Sequence, residues 1–143
     1  MTYVLDACAL IARIKNEPGA DVVDGLLDRA VEGEIDLFIN IVNLVEVHYG
    51  FMKDLGEDRA REIMQTVRET AVEVIDTTAG AVFEEVARLK STLTGFSLAD
   101  AFGLATASVY GASFVTCDHH EFDKFQGQVN IPFLWIRPAV QKS

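Results

Sequence analysis

The sequence has few cationic residues, few prolines and almost no cysteine. Only 12 Lys and Arg residues stand against 22 Asp and Glu residues among 143, which gives a formal net charge of −10. Non-specific binding to DNA comes from neutralising phosphates with Lys and Arg, so this balance argues against a protein that coats DNA. The charge balance does not exclude an enzyme that acts on nucleic acid, because a bound metal ion offsets the repulsion between carboxylates and phosphate.

The scarcity of proline and cysteine limits the organisation of the chain. Three prolines are too few to mark a hinge, and half of the residues are hydrophobic, which suffices for one continuous core. We therefore expect a single domain over residues 1–143. There is no recognisable secretory leader and no apolar run of membrane-spanning length. Together with only two cysteines, Cys8 and Cys117, these features predict free thiols in a soluble, cytoplasmic protein.

Short β-rich runs alternate with helical patterns along the chain. This alternation indicates βαβ units, so we expect an α/β fold: a three-layer α/β/α sandwich with a mostly parallel sheet of about five strands. Open sheets of this kind bind ligands beyond the carboxyl ends of their strands. The predicted strands are Thr2–Leu5, Leu37–Ile39, Val72–Ile75, Ser113–Thr116 and Phe133–Ile136, and the predicted helices are Ala7–Lys15, Asp21–Val31, Asn43–Lys53, Asp58–Thr70, Thr78–Leu93 and Ser97–Tyr110.

Four acidic residues fall at predicted strand ends or in the first turns of the helices near them. Asp6 and Asp118 each close a strand, whereas Glu46 and Asp100 lie just inside a helix. In a parallel sheet all four would lie at the same edge. Carboxylates that converge without a cation nearby repel one another unless they are protonated or bind a metal ion.

The same acids also have purely structural interpretations as helix caps or turn residues. Each such interpretation is about as good as the functional one when a residue is taken singly. Capping does not require all four side chains to point into one pocket, so a shared metal site explains the set better. The structural alternatives are an N-cap at Asp6, a capping box at Ser97 and Asp100, a looser one at Asn43 and Glu46, and an Asx-turn at Asp118.

The residue types narrow the choice of metal. Carboxylates without a supporting set of His or Cys suit Mg²⁺ or Mn²⁺, whereas zinc requires nitrogen or sulfur ligands at recognisable spacings. A magnesium-type ion held by a few carboxylates indicates chemistry on phosphate groups.

Several short segments then occur in an order that is specific as a set. The sequence resembles the PIN-domain nucleases and, within them, the VapC-type toxins of toxin–antitoxin pairs, over nearly the whole chain. The segments are Leu5-Asp6-Ala7-Cys8-Ala9-Leu10, Asn16-Glu17-Pro18-Gly19-Ala20, Val42-Asn43-Leu44-Val45-Glu46-Val47, Ala87-Arg88-Leu89-Lys90, Leu98-Ala99-Asp100-Ala101 and Val115-Thr116-Cys117-Asp118 leading into Phe122.

The resemblance implies a Mg²⁺- or Mn²⁺-dependent endoribonuclease that leaves a 5′-phosphate and a 3′-hydroxyl. It also implies a homodimer and a VapB-type antitoxin that blocks the acidic pocket. The family's acidic quartet corresponds to Asp6, Glu46, Asp100 and Asp118. Thr116 corresponds to a hydroxyl that helps to orient the fourth acid, and Asp123 to an additional acid with at most a supporting role. His119-His120 departs from many members, and we interpret it as a surface pair.

Other functions remain as alternatives. The chain could be a PIN nuclease of RNA processing outside any toxin pair, or a catalytically silent PIN-like module that binds partners; the four intact acids speak against the second. A receiver-type phosphoacceptor domain would have paired acids after the first strand and a lysine after the last, and both are missing. Five cations are candidates for phosphate contacts, although each is more often solvated surface charge: Arg13, Lys15, Lys53, Lys90 and Lys124.

Overall fold

A computed structural model describes residues 1–140 of the protein. Its sheet has five strands: β1 (Thr2–Leu5), β2 (Asp36–Asn40), β3 (Glu73–Ile75), β4 (Ser113–Thr116) and β5 (Phe133–Trp135). Their order is β3-β2-β1-β4-β5, and every neighbouring pair runs parallel. The predicted α/β architecture and strand number are therefore confirmed.

Within the described residues, seven helices connect and cover the strands. They are α1 (Ala7–Ile14), α2 (Ala20–Val31), α3 (Ile41–Leu55), α4 (Glu57–Arg68), α5 (Ala81–Thr92), α6 (Leu98–Val109) and α7 (His119–Phe122), the last followed by a single 3₁₀ turn over Asp123–Phe125. The short helix α7 was absent from the sequence prediction, because four residues are too few to show a helical period.

The start of α3 differs from its predicted position. The helix begins at Ile41, because the side chain of Asn40 caps it by accepting a hydrogen bond from the Val42 backbone N–H at 2.8 Å. Asn43, which the sequence suggested as the cap, is instead a buried residue inside the helix.

The two faces of the sheet carry separate apolar cores. On one face, Leu5 and Val115 pack with residues of α1 to α4. On the other, Val4 and Phe114 pack with α5 and α6. Successive residues of a strand point to opposite faces of the sheet, so Val4 and Leu5 contribute to different cores, as do Phe114 and Val115. The three-layer sandwich follows from that alternation.

The direction of chain winding reverses between β1 and β4. The chain moves outward from β1 through β2 to β3, then returns across the sheet to β4 and continues to β5. Crossovers between parallel strands are right-handed, so a reversal of direction puts the connecting helices on the opposite face. The carboxyl ends of β1 and β4 therefore border the crevice in which open α/β sheets bind ligands.

One sequence expectation is wrong: the cysteines are not free thiols. Cys8 and Cys117 form a disulfide with Cα atoms 5.9 Å apart, and it joins the start of α1 to the residue after β4. A sequence separation of 109 positions gives no sign of the pairing, which arises only because β1 and β4 are neighbours in the sheet. Within the described residues, no helix has the length and apolar character needed to cross a bilayer.

Candidate active site

The four predicted acids are positioned by the carboxyl ends of two neighbouring strands and by two adjacent helices. Asp6 follows β1, and Asp118 lies two residues beyond the end of β4. Glu46 lies in the second turn of α3, and Asp100 lies in the first turn of α6. The two helices are tied together at this edge, because the amide of Asn43 in α3 donates to the carbonyl oxygen of Ala99 in α6 at 3.1 Å.

Asp6 is the deepest of the four, with 4 % of its surface exposed. One carboxylate oxygen accepts a hydrogen bond from the Ala9 backbone N–H at 2.8 Å, and the other accepts one from the Thr116 hydroxyl. The same hydroxyl oxygen accepts a hydrogen bond from the Asp118 backbone N–H at 3.0 Å. Thr116 therefore links the acid at the end of β1 to the acid that follows β4.

Asp118 and Asp100 both lie at helix N-termini. Asp118 caps α7 by accepting a hydrogen bond from the Glu121 backbone N–H at 3.1 Å. Asp100 forms a capping box with Ser97: the Ser97 hydroxyl accepts from the Asp100 N–H at 3.0 Å, and the Asp100 carboxylate accepts from the Ser97 N–H at 3.3 Å. The predicted capping box is confirmed, and for Asp118 a helix cap replaces the expected Asx-turn.

Glu46 is held by a residue that the sequence suggested only as a cap. The buried Asn43 amide donates a hydrogen bond to the Glu46 carboxylate at 3.3 Å. The Oδ1 atom of Asn43 has no hydrogen-bond partner and lies against Gly103, where a Cβ atom would approach it to 3.1 Å. A glycine at that position in α6 leaves room for the amide, and so for the orientation of Glu46.

The carboxylates influence one another's ionisation. The pKa of Asp6 is raised to about 7, mainly by burial and to a smaller extent by the charges of Asp100 and Asp118, against two hydrogen bonds that lower it. Burial is also the largest cause of the raised pKa of Glu46, to which Asp100 contributes. The pKa of Asp100 is raised by burial first, and then by the charges of Glu121 and Asp118. The four acids therefore form one electrostatic group.

Glu121 belongs to this group and was missed by the sequence analysis. Its carboxylate contributes more than Asp118 to the raised pKa of Asp100. The spacing of three residues between Asp118 and Glu121 could have indicated this, because residues three apart on a helix are neighbours on its surface. The sequence pattern does not predict α7, so the spacing could not be assigned to a helix.

Asp123 has a different partner. Its carboxylate pairs with Nδ1 of His119 at 2.8 Å, and its side chain is half exposed. His119 is not the surface residue that the sequence suggested, since its ring stacks on Trp135 with centroids 3.9 Å apart and its Nε2 bonds to the Arg137 carbonyl at 2.8 Å. His120, by contrast, is 92 % exposed. The stack attaches the residue after Asp118 to the end of β5.

The donor set at this edge suits a hard divalent cation. The four predicted ligands offer only carboxylate oxygens, and among residues 1–140 none of them forms an ion pair with Lys, Arg or His. Their mutual repulsion would be relieved by an ion of the Mg²⁺ type. No three of the described carboxylate, imidazole or thiol groups stand close enough to hold one ion jointly. Asp6, Asp100 and Asp118 each accept a hydrogen bond at the N-terminus of a different helix.

The sequence comparisons define the class of protein. The family model described as "PIN domain" matches residues 3–128. That is most of the chain, and the protein belongs to the PIN domain family. No curated protein matches the chain significantly in sequence.

Solved structures with the same fold include several toxin–antitoxin complexes. DNA-bound VapBC from Salmonella typhimurium is similar with a TM-score of 0.75 and 18% identity, covering 96% of this chain and 99% of the matched chain. VapBC-1 from nontypeable Haemophilus influenzae has a TM-score of 0.71 and 18% identity, with 95% and 98% covered. VapBC2 from Rickettsia felis, bound to a promoter DNA fragment, has a TM-score of 0.69 and 20% identity, with 94% and 98% covered. At these identities the similarity establishes the fold.

Proposed function

We propose that this protein is a divalent-metal-dependent endoribonuclease and the toxin of a toxin–antitoxin pair. The observation that carries the proposal is the cluster of carboxylates at the β1–β4 edge. There the buried Asp6 is affected by the charges of Asp100 and Asp118, and no ion pair within residues 1–140 offsets them. Membership of the PIN domain family supports nuclease chemistry there. The VapBC complexes among the similar structures support a VapB-type antitoxin as partner. A homodimeric toxin belongs to the proposal through the family resemblance of the sequence alone.

In this proposal each acidic residue has a stated role in cleavage of the phosphodiester bond. Asp6, Asp100 and Asp118 would hold the metal directly or through water, and Glu46 would either hold it or orient the attacking water. When bound, Mg²⁺ or Mn²⁺ polarises the phosphoryl oxygen and stabilises the leaving oxygen. Thr116 would position both acids, because its hydroxyl donates to the Asp6 carboxylate and accepts from the Asp118 backbone N–H.

The decisive experiment measures RNA cleavage with Mn²⁺, with excess EDTA, and in two Asp-to-Asn variants. Asp118→Asn should lower the cleavage rate by orders of magnitude, because metal stabilisation of the transition state supplies several kcal/mol and about 1.4 kcal/mol is tenfold in rate. Asp58→Asn is the matched control, since that carboxylate is 96% exposed in α4. Cleavage at full rate in EDTA would reject the metal-dependent mechanism.

Growth of a host cell separates a toxin from a nuclease of RNA processing. Induced expression of the chain should arrest growth, Asp118→Asn should not, and co-expression of an adjacent small gene should restore growth. Efficient RNA cleavage in vitro without growth arrest would instead favour the RNA-processing alternative. Intact growth without any cleavage would favour a silent binding module.

A further inference from the structure

The five cationic residues that are candidates for phosphate contacts differ in whether they form ion pairs. Arg13 pairs with Asp24 at 3.0 Å, and Lys15 pairs with Asp54 at 3.8 Å. Within residues 1–140, the other three candidates form no ion pair with a carboxylate: Lys53, Lys90 and Lys124.

Two of these lysines converge on one short segment before α6. The ammonium group of Lys90 donates to the Phe96 carbonyl at 2.7 Å, and that of Lys124 donates to the neighbouring Gly95 carbonyl. Each also lies over an aromatic ring, at 4.7 Å from the Phe96 centroid and 5.3 Å from the Phe125 centroid. These contacts hold both lysines in place without neutralising their charge.

Glycine at position 95 makes the arrangement possible. Its φ of +83° lies in the left-handed region, and a Cβ atom there would stand 2.8 Å from the Lys124 ammonium nitrogen. Any other residue would be strained and would displace the lysine.

The lysine pair lies beside the acidic group. The peptide unit between Phe96 and Ser97 accepts a hydrogen bond from Lys90 through its carbonyl and donates one to Asp100 through its N–H. A single peptide group therefore separates the ammonium from a proposed metal ligand. In a chain of net charge −10, two cations that form no ion pair within residues 1–140 provide a local attraction for an anionic substrate next to the acids.

We propose that Lys90 and Lys124 form a subsite for a backbone phosphate of the RNA, adjacent to the phosphate that is cleaved. This inference rests on the proposed nuclease function and identifies residues that bind its substrate. Each ammonium has three donors and gives one to a loop carbonyl, so donors remain for phosphate oxygens. Both lysines are exposed, so they are accessible to a ligand from solvent.

The test measures binding of a uridine oligonucleotide of about twelve nucleotides as a function of salt, with Ca²⁺ in place of Mn²⁺. Lys90→Gln and Lys124→Gln remove the charge, whereas the amide retains a donor for the loop carbonyl. Each should weaken binding and reduce the slope of log K against log salt by about 0.7, the value for one phosphate contact with a single strand. Lys90→Arg and Lys124→Arg should restore both.

Lys53→Gln is the matched control. Lys53 also lies over an aromatic ring, that of Tyr49, but it is seven residues after Glu46 along α3, about 10 Å further from the acids. Its loss should leave the salt slope unchanged. Equal slopes for the wild type and both charge-removing variants, or an equal decrease in Lys53→Gln, would overturn the subsite.

This proposal and the nuclease proposal fail separately. If RNA binding depends on the two lysines but the wild-type protein never cleaves RNA, the subsite proposal stands and the nuclease proposal is rejected. If cleavage depends on metal but RNA binding and its salt slope are unchanged in Lys90→Gln and Lys124→Gln, the nuclease proposal stands and the subsite proposal is rejected.

Discussion

At the scale of single residues, Asp6 shows how burial and function meet in one side chain. Two hydrogen bonds favour its charged form, yet removal from water outweighs them and raises its pKa to about 7. A carboxylate that resists ionisation gains most from a divalent cation, because the cation favours the charged form that burial disfavours. Metal binding at this residue would therefore release a proton near neutral pH.

The raised pKa predicts how stability without metal depends on pH. The unfolded carboxyl titrates near 3.8, so between about pH 4 and pH 7 the native state holds a proton that the unfolded chain has released. The contribution of Asp6 to the free energy of unfolding thus falls as pH rises through this window, and levels off above it. Asp6→Asn should remove this dependence and add about 2 kcal/mol above pH 7, less than the whole shift, because the amide loses one hydrogen bond of the carboxylate.

Urea unfolding in EDTA across this pH window measures the effect. Asp58→Asn, which removes an exposed carboxylate, should keep the wild-type pH dependence. If Asp6→Asn unfolded with the same pH dependence as the wild type, Asp6 would not carry the raised pKa.

At the scale of secondary-structure elements, capping and metal ligation are not competing roles. Asp6, Asp100 and Asp118 lie at the N-termini of α1, α6 and α7. The positive end of a helix dipole favours a carboxylate by about 0.3–1 kcal/mol, which offsets part of the repulsion within the group. The helices thus help to keep like charges together at one edge of the sheet.

The first turn of α6 allows the two roles to be measured apart. Ser97→Ala removes the N-cap and should lower the free energy of unfolding by about 1 kcal/mol. Asp100→Asn should leave stability without metal unchanged or raise it, because the amide no longer feels the charges of Glu121 and Asp118. Cleavage should fall by orders of magnitude in Asp100→Asn if the carboxylate holds metal.

Urea midpoints without metal and RNA cleavage with Mn²⁺ are compared for both variants. A destabilised Asp100→Asn protein that cleaves RNA at nearly the wild-type rate would show that Asp100 is a cap and not a ligand. Ser97→Ala serves as the control for the effect of capping alone.

At the scale of the whole molecule, the disulfide joins the segments that follow the two strands flanking the crevice. Cys8 lies two residues after Asp6, and Cys117 immediately precedes Asp118, so the bond fixes the chain beside both acids. It closes a loop of 109 residues. A cross-link of that span restricts the unfolded chain by about 4 to 5 kcal/mol in the chain-entropy model.

Reduction should therefore lower the free energy of unfolding by up to that amount. Urea unfolding with and without a phosphine reductant tests this in the wild type, and the double variant Cys8→Ser with Cys117→Ser should be insensitive to the reductant. Identical unfolding midpoints for oxidised and reduced wild-type protein would contradict the prediction.

The sequence by itself determined the local features of this protein. Alternating strand and helix patterns predicted the α/β class, because the period of apolar residues reports which face of an element is buried. The capping box of Ser97 and Asp100 could also be predicted, since its partners are three residues apart. The shared sheet edge of the four acids followed from the same patterns, because parallel strands all end on one side.

Only the tertiary structure decided which distant segments meet. The pairing of Cys8 with Cys117 and the stacking of His119 on Trp135 both depend on the strand order around β4. The convergence of Lys90 and Lys124 on one loop depends likewise on how α5 and the turn after α7 pack around it. Hydrophobic periodicity carries no information on such contacts, because it fixes the buried face of an element but not the neighbour that covers it.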